Sequence, residues 1–183
     1  KEPAINADGT AVSFTSTATN LDAADDANAS QSDIFLRTTS QVTNLVSMRT
    51  GIATGGDGPS EASDLSPDGA TVVFASRAAD LVSAPINGRR EVFRRQVNVP
   101  GMPTTLVSKS SGGAAADDDA SGATISVVGA SGWVSFSSAA TNLVPGQTDG
   151  SYALYVADST GVVRLASRAP GANGAPLPGG SGI

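Results

Sequence analysis

The strongest constraint on this chain is an internal repeat, in which one pattern of apolar residues returns three times at an interval of about sixty residues. The pattern centres on a phenylalanine at Phe14, Phe74 and Phe136, with spacings of 60 and 62 residues. Self-similarity at a fixed period of this length is typical of one small structural unit used repeatedly. A continuous sandwich or jelly roll would not explain the return of the pattern, so the sequence predicts a repeat architecture.

Each repeat unit contains four short apolar segments in the same order, and each segment has the length of one β-strand. Val12 and Phe14 alternate with polar residues, which predicts a strand with one buried face. Asp8-Gly9 and Asp68-Gly69 are hairpin signals, because Gly accepts the positive φ that such turns require. The strands are predicted at residues 4–6, 11–15, 33–37 and 44–47, then at 62–65, 71–75, 91–96 and 104–108, and finally at 124–128, 133–137, 153–158 and 162–167.

A single four-stranded sheet of this size cannot bury its apolar face alone and needs a neighbouring unit. Radial stacking of such sheets hides these faces and leaves only short edges. The sequence therefore predicts an all-β fold built from three four-stranded antiparallel sheets. Disorder is not expected, because the net charge is only −6 and Val, Phe and Leu cluster at regular places.

The charge balance and the missing residue types exclude several classes of protein. A net charge of −6 argues against nucleic-acid binding, which needs basic patches to neutralise phosphates. Without Cys or His, the chain can form neither a disulfide nor a Cys/His zinc site. No apolar run approaches the roughly twenty residues that a spanning helix needs, so membrane insertion is not expected. Low charge and abundant Ser, Thr and Gly favour an exported bacterial protein, either extracellular or periplasmic.

Intrinsic enzyme activity is not expected. No Ser-His-Asp or Cys-His arrangement can form without His, and the chain has no Gly-x-Ser-x-Gly elbow. Carboxylates occur together at Asp25-Asp26 and at residues 117–119, but no apolar or aromatic residues surround them as in a glycosidase site. We interpret both acidic runs as solvated loops.

One loop carries a candidate calcium site, and calcium is the only cofactor that the sequence suggests. Asp26, Asn28, Ser30 and Asp33 place oxygen atoms along a loop before a predicted strand, and calcium prefers several oxygen ligands. The alternative is a polar loop with an Asp at a strand start, because the Gly of an EF-type loop is missing. The run at residues 117–119 is a poorer candidate, since consecutive carboxylates on extended chain point in different directions.

Three other side chains have two interpretations each. Trp133 could stack on a sugar or anchor a partner, but its place directly after a hairpin Gly favours packing or a half-buried edge. Arg94 and Arg95 could contact an acidic partner, but charges on a strand more commonly protect an edge from pairing.

The residues of the second unit resemble a known repeat. Ser66-Pro67-Asp68-Gly69, followed by Val72, Phe74 and Ser76, resembles the WD40-like PD40 repeat of TolB-like β-propellers, and residues 136–150 resemble a bacterial subclass of it. The resemblance implies three blades of a propeller that usually has six or more, with blades at residues 3–58, 59–121 and 122–180 of a partial or self-assembling propeller. The sequence departs from the pattern at Ser131-Gly132, in place of Asp-Gly, and at Arg89-Arg90.

Three blades cannot close a ring. The chain begins at the first strand of one unit and ends where a fourth would start, so it is interpreted either as part of a longer propeller or as a chain whose copies associate. An open arc would leave two apolar sheet faces in water, in a patch larger than soluble monomers normally expose. We therefore expect a further surface, from other blades or other copies, to cover them.

Three functions remain open at this stage. The first is a non-enzymatic propeller module that binds a protein, peptide or glycan, or that self-assembles outside the cytoplasm, with the loops after Leu21, Leu81 and Leu143 as its variable surface. The second is the propeller portion of a larger hydrolase whose catalytic domain is not in this chain. The third is a structural subunit of a surface layer or filament.

Overall fold

A computed structural model describes residues 3–22, 28, 30–97, 101, 103–128, 131–147 and 149–168 of the 183-residue chain. These residues form three four-stranded antiparallel sheets, each with its strands in chain order. Blade 1 comprises β1 (Ala4–Ile5), β2 (Ala11–Ser16), β3 (Asp33–Thr38) and β4 (Thr43–Leu45); blade 2 comprises β5 (Ser60–Leu65), β6 (Thr71–Ser76), β7 (Glu91–Gln96) and β8 (Thr104–Leu106); blade 3 comprises β9 (Ala120–Val128), β10 (Ser131–Ser138), β11 (Ala153–Ala157) and β12 (Val163–Leu165). The predicted fold class is confirmed.

The first strands of blades 2 and 3 begin earlier than predicted, because each continues across a β-bulge. Ala62 and Gly122 occupy equivalent positions and have positive φ angles of 53° and 64°. The pairing register shifts at both places. A bulge keeps a strand paired while one residue leaves the alternating pattern, and the sequence pattern alone therefore missed the residues before it.

The fourth strands are shorter than predicted, and each is followed by a serine whose side chain forms a hydrogen bond with the third strand. The Oγ atoms of Ser47, Ser108 and Ser167 accept hydrogen bonds from the backbone N–H groups at the second position of their blades' third strands, at 3.1, 2.9 and 3.0 Å. The Leu-Val-Ser and Leu-Ala-Ser signals in the sequence thus mark a strand end followed by a side-chain cap.

Each blade stacks two aromatic rings at the same position. The ring centroids are 5.9 Å apart for Phe14 and Phe35, and 5.8 Å apart for Phe74 and Phe93. In blade 3 the pair is Phe136 with Tyr155, at 5.5 Å. A leucine of the fourth strand lies opposite the second ring in every blade. The three phenylalanines of the sequence repeat therefore occupy equivalent positions in successive sheets.

We call the side of each blade that carries these rings the aromatic face, and the opposite side the rear face. The aromatic face of blade 2 packs on the rear face of blade 1, where Phe74 belongs to the same core as Ile34 and Val46. The aromatic face of blade 3 packs in the same way on the rear face of blade 2, where Phe136 joins Val92. The three blades are therefore stacked in one direction, with one core at each junction.

A reciprocal pair of hydrogen bonds joins each linker to the blade that follows it. The N–H of Asp57 donates to Asp80 Oδ1 at 2.9 Å, and Asp57 Oδ1 accepts a bond from a loop N–H at 2.7 Å. At the next junction, the N–H of Asp117 donates to Asn142 Oδ1 at 3.1 Å, and Asp117 Oδ1 accepts from the N–H of Thr141 at 2.7 Å. We call this arrangement the linker clamp.

Candidate binding surfaces

The structure describes three of the four predicted calcium ligands, while Asp26 lies outside the described residues. Asn28 Nδ2 donates to Asp33 Oδ1 at 3.4 Å and to the carbonyl of Gly56 at 3.1 Å. Asp33 is buried at the start of β3 and accepts a bond from the hydroxyl of Ser47 at 2.6 Å. Asn28 therefore presents the N–H group of its side-chain amide to the Asp33 carboxylate, as expected of a structural hydrogen bond. Across the described ranges no three carboxylate, His or Cys side chains gather as a metal site would need, and the calcium site stays a prediction.

The acidic run at residues 117–119 is exposed at Asp117 and half-buried at Asp118 and Asp119, which agrees with a solvated loop, but its carboxylates also bond groups in the neighbouring blades. Asp117 forms the linker clamp, and Asp118 pairs with Arg89 at 3.0 Å. Asp119 pairs with the guanidinium of Arg77 at 2.6 Å. Burial opposes the ionisation of Asp119, but the N–H of Arg90 and the charge of Arg77 outweigh it and lower the pKa of the carboxyl. These carboxylates stabilise a blade junction.

The two arginines of β7 do not act as exposed edge charges. Arg95 is half-buried, and its guanidinium donates to the hydroxyl of Thr104 at 2.9 Å and to the carbonyl of Met48 at 3.4 Å. Burial lowers the pKa of Arg95. Arg94 is also half-buried and lies on the rear face of blade 2. The expectation of edge protection is therefore wrong for both residues.

Blade 1 leaves its aromatic face open. Phe74 and Phe136 are both 0% exposed, whereas Phe14 at the same repeat position is partly exposed. Leu81 and Leu143 are likewise buried, and their counterpart Leu21 is only half-buried. The difference arises because blades 2 and 3 each pack on a preceding blade. A depression of about 380 Å³ lies on this open face.

Blade 3 leaves its rear face open. Ile34 and Val92 on the covered rear faces are 0% exposed, but the equivalent Leu154 is half-buried. Trp133 lies on the same open face and is 41% exposed, with the guanidinium carbon of Arg164 6.0 Å from its ring centre. The predicted packing or half-buried edge is therefore wrong for Trp133, because β10 is an interior strand and the face that carries this side chain has no blade against it. The stack therefore ends in two unlike faces, one aromatic and one rear.

A groove of about 570 Å³ runs along the innermost strands of the three blades. Small residues make up most of its described lining, and Asp64 in that lining accepts bonds from the N–H groups of Leu65 and Ile125, both at 2.9 Å. Both oxygens of Asp64 are thus engaged by backbone N–H groups. Among the residues described, no helix has the length and hydropathy to cross a membrane.

These features define an all-β stack of propeller-like blades, and the fold is similar to that of TolB propellers. This chain is similar to the solved structure of TolB from Acinetobacter baumannii, with 16% sequence identity and a TM-score of 0.51; the match covers 89% of this chain and 31% of that one. It is also similar to the structure of a putative TolB from Agrobacterium tumefaciens, with 17% identity and a TM-score of 0.51; that match covers 90% of this chain and 49% of the other. The chain thus spans about 31% of the length of the first and about 49% of the length of the second. No family model and no curated protein matches it.

Proposed function

We propose that this chain is a non-enzymatic interaction module that works outside the cytoplasm through its two open blade faces. The observation that carries the proposal is the contrast between equivalent positions. Phe14 and Leu154 are partly exposed only because they stand at the two ends of the stack, while their counterparts are buried. Sequence positions suited to an interior therefore face solvent at both ends.

The energetics favour a partner that covers these faces. Burying one Val, Leu or Phe side chain that would otherwise be exposed stabilises an association by about 1.5–3 kcal/mol. Extended apolar patches on soluble proteins mark interaction sites. Val12 and Phe14 on one open face and Leu154 and Val156 on the other are half-buried, so covering each of them recovers part of this free energy against the cost of association.

The partner that fits best is another blade of the same kind. Both internal junctions pair one aromatic face with one rear face, and the stack ends in one of each. A second copy can therefore stack head-to-tail on this one with the same kind of contact. Further blades on the same polypeptide would use the same two faces.

Light scattering on face variants tests this proposal. Val12→Asp places a charge on the open aromatic face, and Leu154→Asp places one on the open rear face. Val42→Asp is the matched control, because Val42 is 49% exposed in the turn between β3 and β4. We expect the wild type and the control to associate beyond 18 kDa, and either face variant to shift towards monomer while its circular dichroism stays that of a β protein.

Two results would overturn the proposal. A wild-type chain that remains a stable 18 kDa monomer at high concentration does not need its faces covered. Association that persists unchanged in the double variant Val12→Asp/Leu154→Asp uses some other surface.

A further inference from the structure

A cleft of about 440 Å³ opens between blades 2 and 3, away from both open faces. It lies at the end of the junction where the strand hairpins turn. Blade 2 contributes Arg94, Gln96 and Thr105 to its walls, and blade 3 contributes Ile125, Val127 and Gly132. One wall is thus polar and carries a positive charge, and the other is apolar.

The cleft exists because blade 2 breaks the repeat at one position. Arg94 stands where blade 1 has Leu36 and blade 3 has Val156, as the strand pairing shows. At the first junction the equivalent space is closed by Leu36 and Leu65, both only 4% exposed. At the second junction Arg94 and Ile125 take their places and remain half-buried. A residue typical of a blade core has been replaced there by a guanidinium.

Blade 3 deepens the cleft with a longer hairpin. Strand β5 ends at Leu65, but β9 continues to Val128 and pairs Val127 with Gly132. This extension carries the apolar wall beyond the length of the other blades. A Cβ atom at Gly132 would meet Val127 Cγ2 at 4.0 Å, so the absence of a side chain there leaves the space in front of Val127 open.

The guanidinium of Arg94 is only partly engaged by protein. Its Nε donates to Thr105 Oγ1 at 3.2 Å and its Nη2 donates to the carbonyl of Ser159 at 3.0 Å. A guanidinium has five N–H donors, and within the described ranges no carboxylate forms an ion pair with Arg94. Asp68 at the rim is engaged in its own turn, where Ser66 Oγ and the N–H of Ala70 donate to it and lower its pKa.

We propose that this cleft binds a small organic carboxylate that bears an apolar substituent. The remaining N–H donors of Arg94 match the two oxygens of a carboxylate in a forked geometry. Ile125 and Val127 supply the apolar wall that ligand pockets commonly use for affinity. The binding does not depend on the open faces of blades 1 and 3, so the two proposals can fail independently.

The repeat itself provides the test variant. Arg94→Leu restores the residue of blade 1 at this position, so the sheet is expected to keep its fold. Arg89→Leu is the matched control, because it removes the same charge from an exposed ion pair with Asp118 at the other end of the junction. Arg94→Lys keeps the charge but loses the fork.

Calorimetric titration with N-acetyl-leucine measures the binding, and N-acetyl-leucinamide serves as the neutral probe. We expect the acid to bind the wild type and Arg89→Leu equally, and to bind Arg94→Leu at least about tenfold more weakly, since bonds to charged groups contribute about 1.5–3 kcal/mol. Arg94→Lys should fall between, and the amide should bind the wild type at least tenfold more weakly than the acid. A tetrapeptide ending in leucine shows whether a chain terminus fits as well as a free acid.

No heat of binding with any of these probes at millimolar concentration would overturn the proposal. Equal binding of the acid to the wild type and to a folded Arg94→Leu would also overturn it, because Arg94 would then serve only to bridge the two blades.

Discussion

At the scale of single residues, the first position of the third strand shows how the repeat tolerates a buried acid. Blade 1 has Asp33 there, blade 2 has Glu91 and blade 3 has Ala153. Glu91 is 0% exposed, and the hydroxyl of Ser108 donates to its Oε2. Burial raises the pKa of Glu91 to about 8, against the lowering effect of the Ser108 bond. The carboxyl is therefore protonated in the folded chain at neutral pH.

This burial makes the stability of the fold depend on pH. The folded pKa is above the unfolded value, so the contribution of Glu91 is complete below about pH 4.5 and is lost as pH rises to about 8. In that window the free energy of unfolding should fall by up to about 1.4 kcal/mol per pH unit for this group. We expect Glu91→Gln to flatten the profile and to exceed the wild type in stability at pH 8.

Urea unfolding at a series of pH values measures the effect, with Asp118→Asn as the control because its carboxyl is 44% exposed. An unchanged slope between pH 5 and 8 in Glu91→Gln would contradict the assignment.

At the scale of elements, the linkers are as regular as the strands. The linker clamp of Asp57 and that of Asp117 have the same geometry at successive junctions, and each fixes the loop after a second strand. Sequence reasoning interpreted the run of acids at residues 117–119 as a solvated loop but could not identify its partners, because they lie 24 or more residues away in the chain. The same limit applies to the predicted calcium loop, where only the path of the chain decides which oxygens converge.

The clamp predicts a difference between adjacent aspartates. Asp117→Ala removes bonds to the N–H and the hydroxyl of Thr141, at 2.7 and 2.6 Å, and we expect a loss of about 1–2 kcal/mol in the free energy of unfolding. Asp118→Asn removes an exposed ion pair but keeps the oxygen that accepts a bond from the N–H of Asp119 at 2.8 Å, and it should cost less than about 0.5 kcal/mol. Denaturant unfolding measures the free energy of unfolding of both variants, which each remove one negative charge. Equal losses of this free energy would show that the linker clamp contributes nothing specific.

At the scale of the whole molecule, equivalent positions of the repeat contribute unequally to stability, because the first and last blades each have one face without a neighbouring blade. Phe74 lies between two blades, while Phe14 has a blade on one side only. This asymmetry is what leaves an aromatic face and a rear face available for the proposed association. It also makes the central blade the most stabilised part of the arc.

Two matched truncations measure the asymmetry. Phe74→Ala should cost about 3–5 kcal/mol, the range for a fully buried aromatic side chain. Phe14→Ala should cost about half as much or less, because part of its ring already contacts solvent. Unfolding should be followed at low protein concentration, where association through the open faces is weakest. Equal costs at the two positions would mean that blade 1 is covered as completely as blade 2.

The sequence by itself determined the repeating unit, because hydrophobic alternation, Asp-Gly turns and a recurring phenylalanine are local signals that each strand carries. It predicted three four-stranded sheets and the equivalence of Phe14, Phe74 and Phe136, and the structure confirms both. Only the tertiary structure decided which copies of a position are buried, where Glu91 loses its charge and where Arg94 opens a cleft. The reason is physical: burial depends on a neighbouring blade about sixty residues away, and a local pattern cannot show whether that neighbour is present or how closely it packs.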